Sequence, residues 1–574
     1  MTDANESSET NKQDDKFNLD KILVDEIGEG KYQVHAIALC GLVAFFFGLT
    51  ANDFIFFAER LKTRCKIQEC EENALSSFSQ PWLENAIPPF GDAFDNCHRY
   101  ASSDHLWNVS AECPSNLFDR STTVKCSDYV YQYQNSAVYE FNLACDEWRW
   151  FLFGFMPLLG MTVSLPVAGF VSDRWGRRFA LSITAFNMAW INAARYWANS
   201  YTVFILIGFL GSAFGSGCLS CCHTLALELV SPTRRMAAVS ILTSCNCLGA
   251  VVKGLLAWTQ PYWRDLILML YLPMSVSIFY FWIAPESVRW LISKKRYEEA
   301  KTILLKASKM NGRVLSDNTL KKITEGVNSA NSKGDNGTNL FYMMWKHKTI
   351  LVNCIAMSVC SLSSAFMTKG LAISSVSISG NKYVNFCMVA VVAIPGLWTA
   401  TFLNDKIGRR SFFFCLFWVS GFCQLINIFI PKGSHGIQLA LYLLTKFCAA
   451  AISSTIVVYK AELFPTSYRS RLTGFTSIFA RCGGFTALLI PALTDRVWNY
   501  LPNVLFSVLA FVSGVLLLFT PETLGASLPE TMEDATRLGK DECSPVMDFL
   551  RRIIYRKHYV VRHDVGHVDV GKIS

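Results

Sequence analysis

Charge is what this sequence has least of. Asp, Glu, Lys and Arg together make up 17% of the 574 residues, while 51% are hydrophobic, with 42 Phe and 15 Trp. That balance excludes an ordinary soluble domain and points to a membrane protein. Signatures of common enzymes are missing as well. There is no GxxxxGKS/T phosphate loop, no HExxH pair and no GxSxG elbow, so ATP-driven pumping and enzymatic chemistry are disfavoured, and no cofactor or metal site is expected. Residues 1–31 are polar and acidic-rich ("TDANESSETNKQDD") and contain no apolar signal peptide. The first membrane helix is therefore expected to serve as its own insertion signal.

A formal net charge of +8 is consistent with nucleic-acid binding in principle, but the basic residues lie in short clusters between apolar runs. That is where the positive-inside rule places them, and no nucleic-acid partner is expected. A membrane-crossing helix needs about 20 mostly apolar residues. This criterion predicts spans near 32–57, 150–171, 179–198, 202–229, 236–258, 265–284, 349–367, 383–403, 411–430, 437–461, 472–494 and 501–520. The expected fold class is an all-α membrane protein of twelve transmembrane helices in two six-helix bundles. Domain boundaries follow: 1–31 cytoplasmic, 32–57 helix 1, 58–149 extracellular, 150–284 helices 2–6, 285–348 a cytoplasmic central loop, 349–520 helices 7–12 and 521–574 a cytoplasmic tail. The central stretch "SKKRYEEAKTILLKASKMNG" has the apolar spacing of short amphipathic helices outside the bilayer. Cations concentrate in alternate loops, which predicts that both termini are cytoplasmic. The basic tail, with His558, His563 and His567, reads as a solvated segment with some attraction to anionic lipid.

Twenty cysteines fall into two populations. Cys65, Cys70, Cys97, Cys113, Cys126 and Cys145 lie in the polar segment 58–149, an even number with room to pair on an oxidising side. Their connectivity is left open by the sequence. Asn108 in "NVS" is then a usable glycosylation acceptor, whereas Asn5 and Asn336 face the cytosol. Cysteines inside apolar runs, such as those of "CLSCCH", read as small packing residues; metal ligands at that spacing would face different sides of a helix.

Two stretches repeat. "GFVSDRWGRR" at 169–178 and "TFLNDKIGRR" at 401–410 each follow the second span of a group of six. Duplication of a six-helix bundle explains the repeat and places a binding site between the halves. Gly169 permits close helix approach, while Asp173, Arg174, Arg177 and Arg178, with Gly176 between them, suit a cytoplasmic latch. Asp405, Gly408, Arg409 and Arg410 are the second copy. Glu228 beside Arg234 and Arg235, and Glu462 beside Arg469 and Arg471, add one carboxylate and two cations to each end, a repertoire for bridges that rearrange.

On these motifs the chain resembles the major facilitator superfamily, and within it the organic cation, organic anion and carnitine transporters (solute carrier 22-like). "LELVSPTRR", "AELFPTSYRSR", "PESVRWLISKKRYEEA", "PETLGASLPET" and the six-cysteine segment carry the resemblance over nearly the whole chain. It implies alternating-access transport of a small organic ion, at a plasma membrane. The lipid bilayer and the organic ion are the expected partners, with any coupling ion or exchange substrate unspecified.

Charges buried in spans are expensive and mark candidate substrate contacts. Arg481 in span eleven is the leading candidate, followed by Lys253 and Lys446; Arg195 is expected to reach the outer interface as a structural cation. Cation-moving relatives tend to have a carboxylate at the position matching Arg481 and another before the proline of span eight, where this chain has Ala393. The lysine that anion carriers often place after that proline is replaced here by the region around Gly396. An unopposed arginine at an effective dielectric of about 20 interacts with a unit charge 4 Å away by about 4 kcal/mol. An organic anion or a carnitine-like or amino-acid-like zwitterion is therefore expected, with a polyspecific organic cation carrier and a non-transporting binding protein as alternatives. Aromatics supply the rest of the cavity: Phe45, Phe46, Phe47, Trp190, Tyr271, Tyr280 and Trp398, with Phe46 and Trp398 taken as substrate contacts. Asp53 is either a coupling residue or a water-facing helix end.

Overall fold

Long apolar runs have no water to satisfy their backbone, so each folds into helix. The computed structural model describes residues 23–316 and 347–537, except 60, 72–76, 91–92, 103–112, 232–233, 261, 379, 432–433, 466–467, 492–493, 495–497, 499, 525–528 and 530–531. Asn108, Asn336 and the tail from 538 lie outside the described residues.

The first half contains α1 (Lys31–Thr50), α2 (Phe54–Phe57), α3 (Glu147–Trp175), α4 (Arg177–Ala193), α5 (Tyr201–Gly215), α6 (Gly217–Leu229), α7 (Arg235–Thr259), α8 (Trp263–Tyr271) and α9 (Tyr280–Ile283). After α10 (Val288–Ser293) and α11 (Tyr297–Asn311) comes the second half: α12 (Lys348–Ser374), α13 (Lys382–Ile407), α14 (Arg409–Phe429), α15 (His435–Leu463), α16 (Arg469–Ala487) and α17 (Leu501–Leu517). Among the described residues, nine segments are long and apolar enough to cross a membrane; α4, α16 and α17 fall outside that set. Each half has an apolar core, the first of which also takes in Ile373, Phe386 and Leu488 of the second half, and α7 packs along both α1 and α13 to join them.

Three predicted spans are interrupted. Between α1 and α2 the chain turns at Ala51–Asp53, with Asn52 at φ 57°, a left-handed conformation that asparagine tolerates. The fourth span breaks at Ser216, and the sixth continues from α8 through a 3-10 stretch, Leu272–Phe279, that starts on a Leu-Pro pair. Pro273 has no amide hydrogen to donate to the preceding turn, which removes one bond from the α-helical ladder where the 3-10 stretch begins.

The segment between α2 and α3 folds on three short antiparallel ladders, pairing Thr63–Cys65 with Tyr129–Tyr131, Pro89–Phe90 with Ala93–Phe94, and His98–Ser102 with Phe118–Lys125. Its six cysteines pair as Cys65–Cys126, Cys70–Cys113 and Cys97–Cys145. Two of these bridges enter a small core with Ile67, Trp82, Ile87 and Phe118. Arg64 is buried there against Glu71 at 2.6 Å and donates to the carbonyls of Ser77 and Phe78. The bridges mark one face of the molecule, the disulfide end, and the repeated Gly-Arg-Arg turns mark the other, the motif end.

The central-segment helix α11 docks on the chain leading into α1. Asn311 accepts from the Tyr32 amide and donates to the carbonyls of Ile27 and Gly28, and Arg313 donates to the Asp25 carbonyl.

Candidate functional site

The repeated motif makes the same structure twice. Gly176 and Gly408 turn the chain at φ +106° and +97°, and a helix starts at the next residue. The first amides of a helix have no partner within it and favour a negative charge. Glu286 supplies one in the first half, accepting from the amides of Arg177 at 2.9 Å and Arg178 at 3.2 Å. Glu522 supplies the other, accepting from Arg409 at 2.8 Å and Arg410 at 3.0 Å. A Cβ on Gly176 would stand 2.3 Å from the Glu286 carboxylate, and one on Gly408 2.9 Å from that of Glu522. Both the backbone angle and the space thus require glycine. Burial raises the Glu286 carboxyl above its ordinary range, with the amide bonds from Ser287, Arg178 and Arg177 pulling the other way.

Neither Glu286 nor Glu522 was among the expected latch residues. The available signal was the repeated Pro-Glu-Ser/Thr directly after the last apolar run of each half.

Side chains complete the two clusters. Arg177 pairs with Asp173 at 2.6 Å and stands 3.6 Å from Glu228, and Trp290 donates to the Asp173 carbonyl at 3.0 Å. Arg409 grips Glu462 with two hydrogen bonds of 3.1 and 3.2 Å, and Thr523 donates to Glu462 at 2.6 Å. The expected partners of Glu228 and Glu462 were the cations that follow them in sequence. Instead, the arginine directly after the glycine turn of each repeat, Arg177 or Arg409, meets them. Arg234 pairs with Glu29 at 2.9 Å, and Arg469 donates to the Phe464 carbonyl. Arg178 lies over the Phe281 ring, Arg174 over Trp175, and Arg410 donates to the Leu518 carbonyl. Arg235 is half-buried, Arg471 is exposed, and Asp405 lies on α13 with its side chain outside the described set. Gly169 has open space where a Cβ would stand, so it is not a site of close helix approach. Every pair named here stays inside its own half.

A second group of charges surrounds a cavity toward the disulfide end. The break between α1 and α2 places Asp53 in this cavity, together with Asn52 and, from the second half, Lys369. Asp53 does not face water. It is 4% exposed, paired with Arg195 at 2.5 Å and hydrogen-bonded by the Tyr271 hydroxyl at 2.9 Å. Arg195, expected at the interface, is 1% exposed and lies among the rings of Phe57, Phe204 and Tyr271. Lys253 donates to the Gly48 and Ala51 carbonyls, capping the exposed end of α1 where the span breaks. Lys446 donates to the Thr368 carbonyl at 3.1 Å, one residue from Lys369. Lys369 is close enough to Lys446 and Arg481 to feel both charges. Arg481 is half-buried and has neither a hydrogen bond nor an ion pair among the described residues. Of these charges Asp53 and Lys369 line the cavity, with Arg195 and Lys253 behind Asp53 and with Lys446 and Arg481 near Lys369; Asp53 is already taken by Arg195.

Lys369 was not anticipated: it sits near the end of a run of small and polar residues, "SSAFMTKGLAISS", where a lysine reads as a span terminus. Of the expected aromatics, Phe47 and Tyr271 line the cavity, whereas the two taken as substrate contacts do not. Phe46 packs edge-on with Phe45 against the first core, and Trp398 stacks on Phe402, which is 60% exposed; neither lines the cavity.

Two helical halves with duplicated charge clusters at one end and a charged cavity between them define a membrane transporter of the major facilitator type. The sequence matches the family described as sugar (and other) transporter over residues 118–535, and the chain belongs to that family. Among known proteins it is 28% identical to rat (Rattus norvegicus) solute carrier family 22 member 3, over 78% of this chain and 81% of that protein. It is 29% identical to the organic cation transporter protein of Drosophila melanogaster, over 80% of this chain and 88% of that one. Its fold is similar to a partially occluded, inward-open structure of the xylose transporter XylE from E. coli, with a TM-score of 0.58 at 14% identity, covering 87% of this chain and 100% of that one.

Proposed function

We propose that this chain carries a small organic anion or zwitterion across a plasma membrane by alternating access, with Arg481 as the partner of the substrate carboxylate. The observation that carries this reading is the half-buried Arg481, which has neither a hydrogen bond nor an ion pair among the described residues and stands near Lys369 on the cavity wall, where the carboxylate of Asp53 is already engaged by Arg195. A cavity whose surroundings carry more cations than free carboxylates attracts anions and repels cations. In this reading all twelve predicted spans cross the bilayer, with α4, α16 and α17 held by their neighbours rather than by apolar length. Both termini and the motif end face the cytoplasm, residues 58–149 lie outside the cell and carry glycan on Asn108, and the two motif clusters break and re-form as the inner side opens and closes. Lys253 and Lys446 set the potential of the cavity rather than touching substrate, since each already donates to a helix carbonyl.

A second reading, a carrier of organic cations, is favoured by the name of the Drosophila relative. The deciding experiment is uptake of labelled hippurate, carnitine and tetraethylammonium by cells expressing the protein or its Arg481→Ala variant, normalised to surface protein. Entry of hippurate or carnitine, reduced about tenfold or more in the variant, is the expected result and matches the loss of one charge-assisted contact. Entry of tetraethylammonium alone overturns the anion reading. No flux of any of the three leaves a binding protein on the transporter fold.

A further inference from the structure

At the disulfide end the two halves meet along α7 and α13, where Trp258 stacks on Tyr383, and through a short strap. Helix α2 and its flanks, residues 52–59, are held firmly to the first half. Asp53 pairs with Arg195, Trp150 donates to the Ala58 carbonyl at 2.8 Å, and Ser136 donates to the carbonyls of Phe57 and Glu59. From that support the strap reaches the second half in three places. Asn52 Oδ1 accepts from Lys369 Nζ at 2.7 Å, Phe56 lies against Tyr383 and Phe386, and Glu59 pairs with Lys382 at 2.5 Å.

Of these contacts, the Asn52–Lys369 bond is the one that faces the cavity. It is also chemically mismatched. A half-buried ammonium is held by a neutral amide oxygen, while the adjacent carboxylate of Asp53 is committed to Arg195 and Tyr271. The cations facing Lys369, Arg481 from α16 and Lys446 from α15, add positive potential at the same point. A carboxylate entering the cavity offers Lys369 a partner roughly twice as strong as the amide. A ligand shifts a conformational equilibrium only through an interaction that differs between the two states. Lys369 supplies such a difference, because it bonds to Asn52 with the strap docked and to the anion with the strap released.

We propose that Lys369 and Asn52 form an anion-released latch: a carboxylate in the cavity takes the Lys369 ammonium from Asn52 and frees the strap, which couples substrate occupancy to opening at the disulfide end. The trigger rests on the anion reading above, whereas the latch itself does not.

The test is labelling of an Ala51→Cys protein in intact cells with a membrane-impermeant methanethiosulfonate, with the protein lacking that cysteine as background. Ala51 lines the cavity beside Asn52. Labelling is expected to be slow without ligand and about tenfold faster with saturating hippurate, the scale of one charge-assisted hydrogen bond. Adding Asn52→Ala makes labelling fast without ligand, and hippurate then changes nothing. Asn52→Asp gives Lys369 a charged partner at a position that tolerates the left-handed turn, and labelling falls below that of Ala51→Cys alone. Opposite responses from two substitutions at one residue are not produced by misfolding. Lys369→Met is fast and unresponsive. Equal ligand-free rates for Asn52→Ala, Asn52→Asp and the Ala51→Cys protein overturn the latch. So does a hippurate response that persists in Lys369→Met. If hippurate is carried in an Arg481-dependent way yet leaves labelling unchanged, the latch fails and the anion reading stands. If only tetraethylammonium is carried, the anion trigger fails, and the ligand-free rates decide the latch separately.

Discussion

The two motif clusters are built on one backbone plan and finished with different side chains. In both, a glycine at positive φ starts a helix whose first amides bind a carboxylate more than a hundred residues away. Beyond that shared plan they diverge. Arg177 spans a close bond to the exposed Asp173 and a longer contact to Glu228, whereas Arg409 makes a two-pronged contact with Glu462, which Thr523 also holds. The comparison separates what the fold requires from what is tuned. Helix-start amides must find a partner wherever the helix begins, but an arginine has five donors and several ways to use them. The first cluster is the looser of the two, with the ion pair at its exposed edge better placed to break and re-form.

Glycine substitution should make the largest difference and test whether the shared plan is strict. Gly176→Ala and Gly408→Ala each place a side chain where the backbone disfavours it, at a cost of about 1–3 kcal/mol. Because the added Cβ meets the Glu286 carboxylate at 2.3 Å but that of Glu522 at 2.9 Å, Gly176→Ala should lower the melting temperature in detergent further. Equal losses would mean that the two turns are equivalent despite their spacing.

A smaller change is expected from Asp173→Ala, which removes the exposed edge of the looser cluster. Exposed pairs contribute about 0–1 kcal/mol, so surface expression should persist while transport turnover falls. Normal turnover at normal surface level would show that the Asp173 pair takes no part in the cycle.

The subtlest test uses pH. The Glu286 carboxyl is raised above its ordinary value of 4.5, so folding favours its protonated form. Its contribution to stability is full below that value and is lost as pH rises through the raised one. Melting temperature should therefore decline across this window from pH 4.5 upward, and Glu286→Gln, which cannot ionise, should flatten that part of the profile. A profile unchanged by the substitution would mean that the amide bonds of Arg177 and Arg178 offset burial completely.

Much of this architecture was readable from residue order. Apolar runs, a central polar stretch and the doubled Gly-Arg-Arg are local signals, as hydropathy and glycine placement act within a few residues. The residues completing each site were not readable in the same way. Glu286 stood next to a proline at the end of a run, Lys369 near the end of another, and Asp53 at what resembled a helix end facing water. Arg195, read as an interfacial cation, is enclosed by three aromatic rings and the Asp53 carboxylate.

By itself, the sequence determined that this is a helical membrane protein of two similar halves, with a cysteine-rich insert and a repeated charged turn. Only the tertiary structure decided which partners meet: Cys65 with Cys126, Arg177 and Arg178 with Glu286, Asn52 with Lys369 across 317 positions. Helical periodicity and burial in lipid are properties of a short stretch of chain, whereas a buried charge is satisfied by whatever the packing of other helices brings within 3 Å of it.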